Sequence, residues 1–201
     1  KTRAPQPATL TRNVQNQKGT PLGKLVLAAA GPLRADRPGN GGMRLWQYSS
    51  MEKADAEALN LAIGMEVKHT TFNTGFTGAK LVCAAASPVS EWSSGDKQQL
   101  LDTAASMLTD LDGAMYTGCD MNTTTHDMDY LSERCPYVLA AVGNPDCCPN
   151  TATAYGVVGS VEAVLDGSVS GKTLLVHGCG NVGATVAEKL LSLGAKRVYT
   201  V

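Results

Sequence analysis

The sequence predicts an α/β chain in two domains. Three observations carry that reading. Short apolar runs of strand character alternate with stretches whose apolar residues recur at helical spacing. A breaker cluster, Cys147-Cys148-Pro149-Asn150, interrupts the alternation. Beyond it the chain reads helix, strand, glycine-rich turn, helix, strand. The expected domains are 1–148, with residues 1–8 as an arm, and 149–201.

Residues 8–14 (ATLTRNV) and 23–30 (GKLVLAAA) predict two strands, joined as a hairpin across the polar stretch NQKGTP. Residues 31–42 are loop by composition. Ser49 and Glu52 have the spacing of a capping box. Met51, Ala54, Ala58, Ala62 and Met65 then follow at helical spacing, with Gly64 weakening the end of that helix. Residues 79–85 (AKLVCAA) predict a buried strand. Ser94 opens a second helix with Leu100, Ala104, Met107, Leu108 and Leu111 on one face and Gly113 as its stop. A short polar helix is expected over Thr123–Glu133 and a strand over Tyr137–Val142. A helix over Thr151–Leu165 is closed by Gly167. Strand Lys172–His177, helix Ala184–Leu193 with Gly194 as its cap, and strand Arg197–Val201 complete the chain, which has no internal repeat.

Composition narrows the function. Of 201 residues, 43% are hydrophobic and 17% charged, enough for a core and too little charge for a disordered tail. A formal net charge of −1 argues against nucleic acid as a partner. No apolar run approaches the roughly 18 residues of a transmembrane helix. Residues 1–35 hold six bases and no acid, against 11 bases and 18 acids in the remainder. That start reads as a solvated arm, or as the residue of an organelle-targeting segment. A soluble cytoplasmic or organellar protein is therefore expected. Opening at Lys1 rather than Met reads as a processed or trimmed end. The six cysteines form no CxxC pair and are expected to be reduced, with Cys147 or Cys148 as candidate reactive thiols. His69, His126 and His177 are scattered, and no metal site is expected.

The strand at Lys172–His177 runs directly into Gly178-Cys179-Gly180-Asn181-Val182-Gly183 and then a helix. Inside a βαβ unit this G-x-G-x-x-G has the context of a Rossmann-type dinucleotide fingerprint. Gly178 permits the tight turn, Gly180 admits a pyrophosphate to the backbone, and Gly183 lets helix and strand pack closely. The helix N-terminus presents free N–H groups to the phosphates. Gly178, Gly180, Asn181, Val182 and Gly183 are the candidate cofactor-binding residues, against the alternative of a purely structural turn. The acidic ribose partner expected about 20 residues further on would lie past Val201, and Glu188 comes too early, so NAD and NADP both stay open. A two-stranded unit has a bare sheet edge, so the natural chain is expected to continue past Val201 or to have that edge covered.

Two lysines and an aspartate remain. Lys68 ends the first long helix, and Lys80 lies between a small-residue loop and an apolar strand. A lysine buried there has a lowered pKa and can serve as acid or base near neutral pH. Asp120, in a Gly/Cys/Asn/Thr loop, is a candidate acid/base or equally a helix cap.

Together these motifs resemble the glutamate/leucine/phenylalanine/valine dehydrogenase family, nearest its leucine and phenylalanine branch. The resemblance rests on Gly41-Gly42-Met43-Arg44, Gly64-Met65-x-x-Lys68, Gly78-Ala79-Lys80 and Thr117-Gly118-Cys119-Asp120. It continues through Asn122-Thr123-Thr124, Asp127-Met128-Asp129, Thr153-Ala154-Tyr155-Gly156-Val157 and the glycine turn, in family order over residues 8–201. It implies an N-terminal amino-acid dehydrogenase-type α/β domain, for substrate and oligomerisation, followed by the first part of a Rossmann-type NAD-binding domain, with a cleft between them. It implies NAD-dependent oxidative deamination of an apolar L-amino acid to its 2-oxo acid and ammonium, with NADP open.

By the same resemblance Lys68 binds the substrate carboxylate, and Gly42 and Met65 line the pocket. Lys80 polarises the reacting centre and activates water, Asp120 moves protons to and from the amino nitrogen, and Thr153 lies near the nicotinamide. A homo-oligomer, or a subunit of a larger assembly, is implied. The sequence departs from the family at Thr77, where a glycine is usual and a side chain is expected to intrude on the substrate. It departs again in the loop Arg34–Asn40 and in its length. The alternative reading is a catalytically reduced relative serving as a structural subunit. The 201-residue chain alone is expected not to turn over, and to hold no cofactor or to hold it on its phosphates only.

Overall fold

In the computed structural model of the chain the described residues are 8–139, 144 and 148–201. They fall into two compact units, divided between residues 143 and 144.

In the first unit, β1 (Ala8–Gln15) and β2 (Pro21–Ala29) form an antiparallel hairpin. The Asn16 side-chain carbonyl accepts from the Lys18 and Thr20 N–H groups, and Gly19 at φ 78° reverses the chain. Four further strands follow: β3 (Gly39–Asn40), β4 (Met43–Trp46), β5 (Thr77–Ala85) and β6 (Met115–Tyr116). The sheet order is β1-β2-β5-β3-β6, with β4 also paired to β5. β2 runs antiparallel to β5, whereas β3 and β4 run parallel to it.

Every residue of β5 is buried. Both faces of the strand are covered, so its sequence need not alternate in polarity. Ala79, Leu81, Cys83 and Ala85 join one apolar cluster with Leu100, Ala104 and Leu108 of α2 (Ser94–Asp110). Val82 joins another with Val26, Ala28, and Ala58 and Ala62 of α1 (Met51–Phe72). The period of two thus sends Gly78, Lys80 and Val82 toward α1 and the odd residues toward α2. The α1 helix comes unusually close because it meets the sheet with alanines. A Cβ on Gly78 would sit 2.0 Å from the Glu66 nitrogen.

Several elements differ from expectation at their ends. Ser50, not Ser49, caps α1, accepting from the Lys53 N–H. The helix passes Gly64 and runs to Phe72, ending at Asn73 in the left-handed region. Packing of the alanine face outweighs the propensity cost of about 1 kcal/mol for one glycine. Ser93, one residue before Ser94, caps α2 in a full capping box with Asp96. The helix α3 (Thr125–Ser132) is capped by Thr124 in a box with Asp127, so Asp120 is not its cap. The expected loop 31–42 contains β3, and β4 follows it directly. In the expected strand at Tyr137–Val142, Val138 bridges Thr117 and residues 140–142 lie outside the described residues.

The second unit holds α4 (Pro149–Val164), β7 (Thr173–Val176), α5 (Asn181–Ser192) and β8 (Arg197–Thr200), with β7 parallel to β8. Ala154, Val158, Val169, Val186, Leu190 and Ala195 form its core. The fold class is α/β, as the sequence predicts. Among the described residues no helix is long and apolar enough to cross a membrane.

Candidate active site

Lys80 stands in the middle of β5, turned toward α1 and only 6% exposed. Its ammonium lies 2.6 Å from Oδ2 of Asp120, which belongs to the loop after β6. Arg44, on β4, donates from Nε to the same Oδ2 at 2.9 Å and from Nη1 to Oε1 of Glu57, on α1, at 2.7 Å. The Asp120 N–H donates to Thr123 Oγ1 at 2.8 Å, and that hydroxyl donates to the Met43 carbonyl at 2.6 Å. Gly42 admits the loop, since a Cβ there would fall 2.7 Å from the Cys119 carbonyl oxygen. Gly41 is equally constrained, with a Cβ only 1.6 Å from the Ala79 oxygen.

Burial pushes the Lys80 ammonium below the ordinary lysine range, and the positive charges of Arg44 and Lys68 add to that against the Asp120 pairing. Burial also works against the Asp120 carboxylate, but hydrogen bonds and charge from Lys80 and Arg44 outweigh it and hold its pKa below the usual carboxylate range. Lys80 is thus primed to lose a proton, and Asp120 stays ionised.

Lys68 and Met65 lie on α1, Lys68 exposed and Met65 half-buried. Lys68 makes no ion pair among the described residues, yet its charge is felt at Lys80. The structure therefore brings Lys80, Asp120 and Gly42 into direct contact or near it and sets Lys68 within electrostatic reach. Thr77 is buried and, by alternation along β5, shares its face with Ala79 and Leu81, opposite to Lys80. The glycine that matters for close approach is Gly78, whose N–H donates to Glu66 Oε2 at 2.5 Å.

Sequence does not point to Arg44 or Glu57: Arg44 falls in the Gly41-Gly42-Met43-Arg44 stretch, but nothing local connects it to a partner 76 residues away.

In the second unit the glycine turn joins β7 to α5. Gly178 takes φ 90°, and its N–H donates to the Val201 carbonyl at 2.8 Å. A Cβ on Gly183 would lie 1.9 Å from the Gly178 oxygen, so helix and turn interlock only as glycine. Gly180 caps α5 with no side-chain hydrogen bond and with open space where its Cβ would be. Asn181 is exposed and Val182 half-buried against the apolar core. An open, side-chain-free helix N-terminus behind a tight turn fits a diphosphate. Thr153 is exposed on α4, its hydroxyl donating to the Pro149 carbonyl at 2.8 Å. Cys148 caps α4, and hydrogen bonds from Thr151 and Asn150 hold its thiol below the usual range. Cys147 lies outside the described residues.

Fold and site define an α/β chain with a buried lysine–aspartate centre in one unit and a nucleotide-type glycine turn in the other. The chain belongs to the Glu/Leu/Phe/Val dehydrogenase family. Residues 34–137 match the Glu/Leu/Phe/Val dehydrogenase dimerisation domain, and residues 148–201 match Glutamate/Leucine/Phenylalanine/Valine dehydrogenase. Leucine dehydrogenase of Thermoactinomyces intermedius is 31% identical over 174 residues, covering 81% of this chain and 45% of that protein. Phenylalanine dehydrogenase of Lysinibacillus sphaericus is 30% identical over 172 residues, covering 81% of this chain and 43% of that protein. The chain therefore spans a little under half the length of these relatives.

Among solved structures, hetero-hexameric glutamate dehydrogenase from Thermus thermophilus superposes with a TM-score of 0.74 at 20% identity, over 97% of this chain and 50% of that one. L-tryptophan dehydrogenase from Nostoc punctiforme gives 0.60 at 22% identity, over 94% and 53%. At these identities the likeness speaks for the fold.

Proposed function

We propose that the chain is part of an NAD(P)-dependent dehydrogenase that oxidatively deaminates an apolar L-amino acid. The first unit is its substrate and oligomerisation domain, and the second is the start of its cofactor domain. The observation that carries this reading is the Lys80–Asp120 pair at 2.6 Å, with Lys80 buried and the charge of Lys68 felt beside it. Leucine and phenylalanine dehydrogenases among the relatives support an apolar substrate.

In this reading the exposed Lys68 ammonium holds the substrate carboxylate. Gly42 and Met65 border the side-chain pocket. Lys80 donates a hydrogen bond to the substituent of the reacting carbon and, in its neutral form, takes a proton from the attacking water. Asp120 exchanges protons with the amino nitrogen. A lysine and a carboxylate held at different ionisations divide acid and base work between them. The residues Gly178–Gly183 are built to hold a dinucleotide diphosphate, and Thr153 is the candidate contact for its nicotinamide. When bound, that cofactor supplies the hydride acceptor.

The test is turnover by the longest natural form of the protein, beside the 201-residue chain, with NAD or NADP and a panel of apolar L-amino acids and glutamate at mildly alkaline pH. Lys80→Ala and Asp120→Asn are expected to lower kcat by about 10²–10⁴-fold while remaining folded. Absence of turnover across the panel by a folded wild type would overturn this reading in favour of a structural subunit.

A further inference from the structure

We propose that Arg44, anchored by Glu57, is a positioning residue for Asp120, fixing one carboxylate oxygen so that the other exchanges the proton. This rests on the reading of Asp120 as the acid/base.

The geometry is asymmetric. Lys80 Nζ and Arg44 Nε both reach Oδ2 of Asp120, at 2.6 and 2.9 Å. Among the described residues no side-chain donor bonds Oδ1. A carboxylate oxygen carrying two charge-assisted hydrogen bonds is a poor proton acceptor, so protonation is directed to the oxygen left free. One contact from a lysine would not achieve this. Its ammonium is a point charge on a flexible stem and would follow the carboxylate as it turned. A guanidinium is a planar fork. Arg44 uses one tine on Asp120 and another on Glu57, so its plane is pinned between the loop after β6 and α1.

Arg44 is not required to hold the backbone. The β4 strand is fixed by its ladder with β5, where Arg44 lies opposite Val82. The Asp120 loop is tied to β4 separately, through Thr123 to the Met43 carbonyl and through the Asn122 side chain to the Leu45 carbonyl at 2.9 Å. What Arg44 adds is the orientation and ionisation of one side chain.

The charges also balance. Lys80 and Arg44 oppose Asp120 and Glu57. Tyr48 completes the surroundings: its hydroxyl is buried, and burial pushes its phenol up, so it stays neutral. Lys68 acts on this set through Lys80.

The experiment compares wild type, Arg44→Lys, Arg44→Met and Glu57→Gln in the longest natural form of the protein. Arg44→Met is expected to lower kcat by about 10–100-fold, the scale of a misplaced reacting group, with KM for the amino acid changed less than about threefold. The limb of the pH–kcat profile that reports Asp120 moves to higher pH, because a stabilising cation is gone. Arg44→Lys restores part of kcat and of the profile, and Glu57→Gln shifts both in the same sense by less. Unchanged kcat and profile in Arg44→Met would overturn the inference, as would a rise in KM at constant kcat, which would make Arg44 a substrate-binding group. Should Arg44→Met fail to fold, Arg44→Lys and Glu57→Gln carry the same comparison. Should wild type show no turnover, the functional reading fails on its own. The ¹³C titration of the Asp120 carboxyl then decides the positioning claim, a rise in the variants supporting it and no change overturning it.

Discussion

A charge placed inside a protein is tolerated only when it is matched, and Lys80 shows how narrowly. Lys80 is 6% exposed, and its ammonium depends on one oxygen of Asp120. Removing one partner of such a pair costs about 3–5 kcal/mol when burial is complete, and less here because Asp120 is still a quarter exposed. The two groups have the same linkage sign in different pH windows: with both folded pKa values lowered, stability rises with pH through each. Asp120 has a lowered folded pKa, so its contribution is present above the unfolded value near 4 and is lost as pH falls through the folded one. Lys80 also has a lowered folded pKa, but as a base it costs stability while charged and is relieved as pH rises through that value. Lys68 lowers the Lys80 pKa further by like charge. Lys68→Met is therefore expected to move the Lys80 titration to higher pH, read from the alkaline limb of activity or from the rate of lysine modification. Because Lys68 is exposed, raising the salt concentration in wild type should move the limb the same way, and should do little in the variant.

At the scale of the element, the decisive contact is α1 against β5. Two glycines, one inside this contact and one facing away from it, predict opposite outcomes. Gly78→Ala pushes a methyl to 2.0 Å from the Glu66 nitrogen and is expected to cost about 1–3 kcal/mol or more. Gly64→Ala lies on the exposed side of α1, meets nothing within 4 Å, and should gain about 1 kcal/mol from helix propensity. Urea unfolding of both variants measures the contrast. The same contact explains what sequence could and could not reveal. The alanine repeat at Ala54, Ala58 and Ala62 marks α1, and the apolar run 79–85 marks β5. The strands β3 and β6 have two residues each, too few for any period, and β4 has four. Those strands pair with partners remote in the chain, so no local pattern announces them. The loop around Asp120 marks it as a candidate and the resemblance alone gives it a role, whereas nothing marks the side chains that reach it, since Arg44, Glu57 and Asp120 share no spacing rule.

For the whole molecule, two units carry separate cores of unequal depth. The first packs helices against a six-stranded sheet, and the second rests on a two-stranded sheet whose Leu175 and Tyr199 are exposed. Two strands confer little independent stability. In the 201-residue chain, amides of Thr77–Ala85 are expected to exchange with deuterium at rates set by unfolding of the whole first unit. Those of Thr173–Val176 should exchange faster by orders of magnitude. Comparable protection in the two strands would refute this. The charged centre also has a kinetic meaning. Its ion pair joins β5 to the loop after β6, and its guanidinium contact spans 76 residues of chain. The β1–β2 hairpin and the helices need only short loops to form, whereas the centre must wait for contacts between segments remote in the chain. During refolding, the Lys80–Asp120 contact is therefore expected to recover after the helical signal has returned.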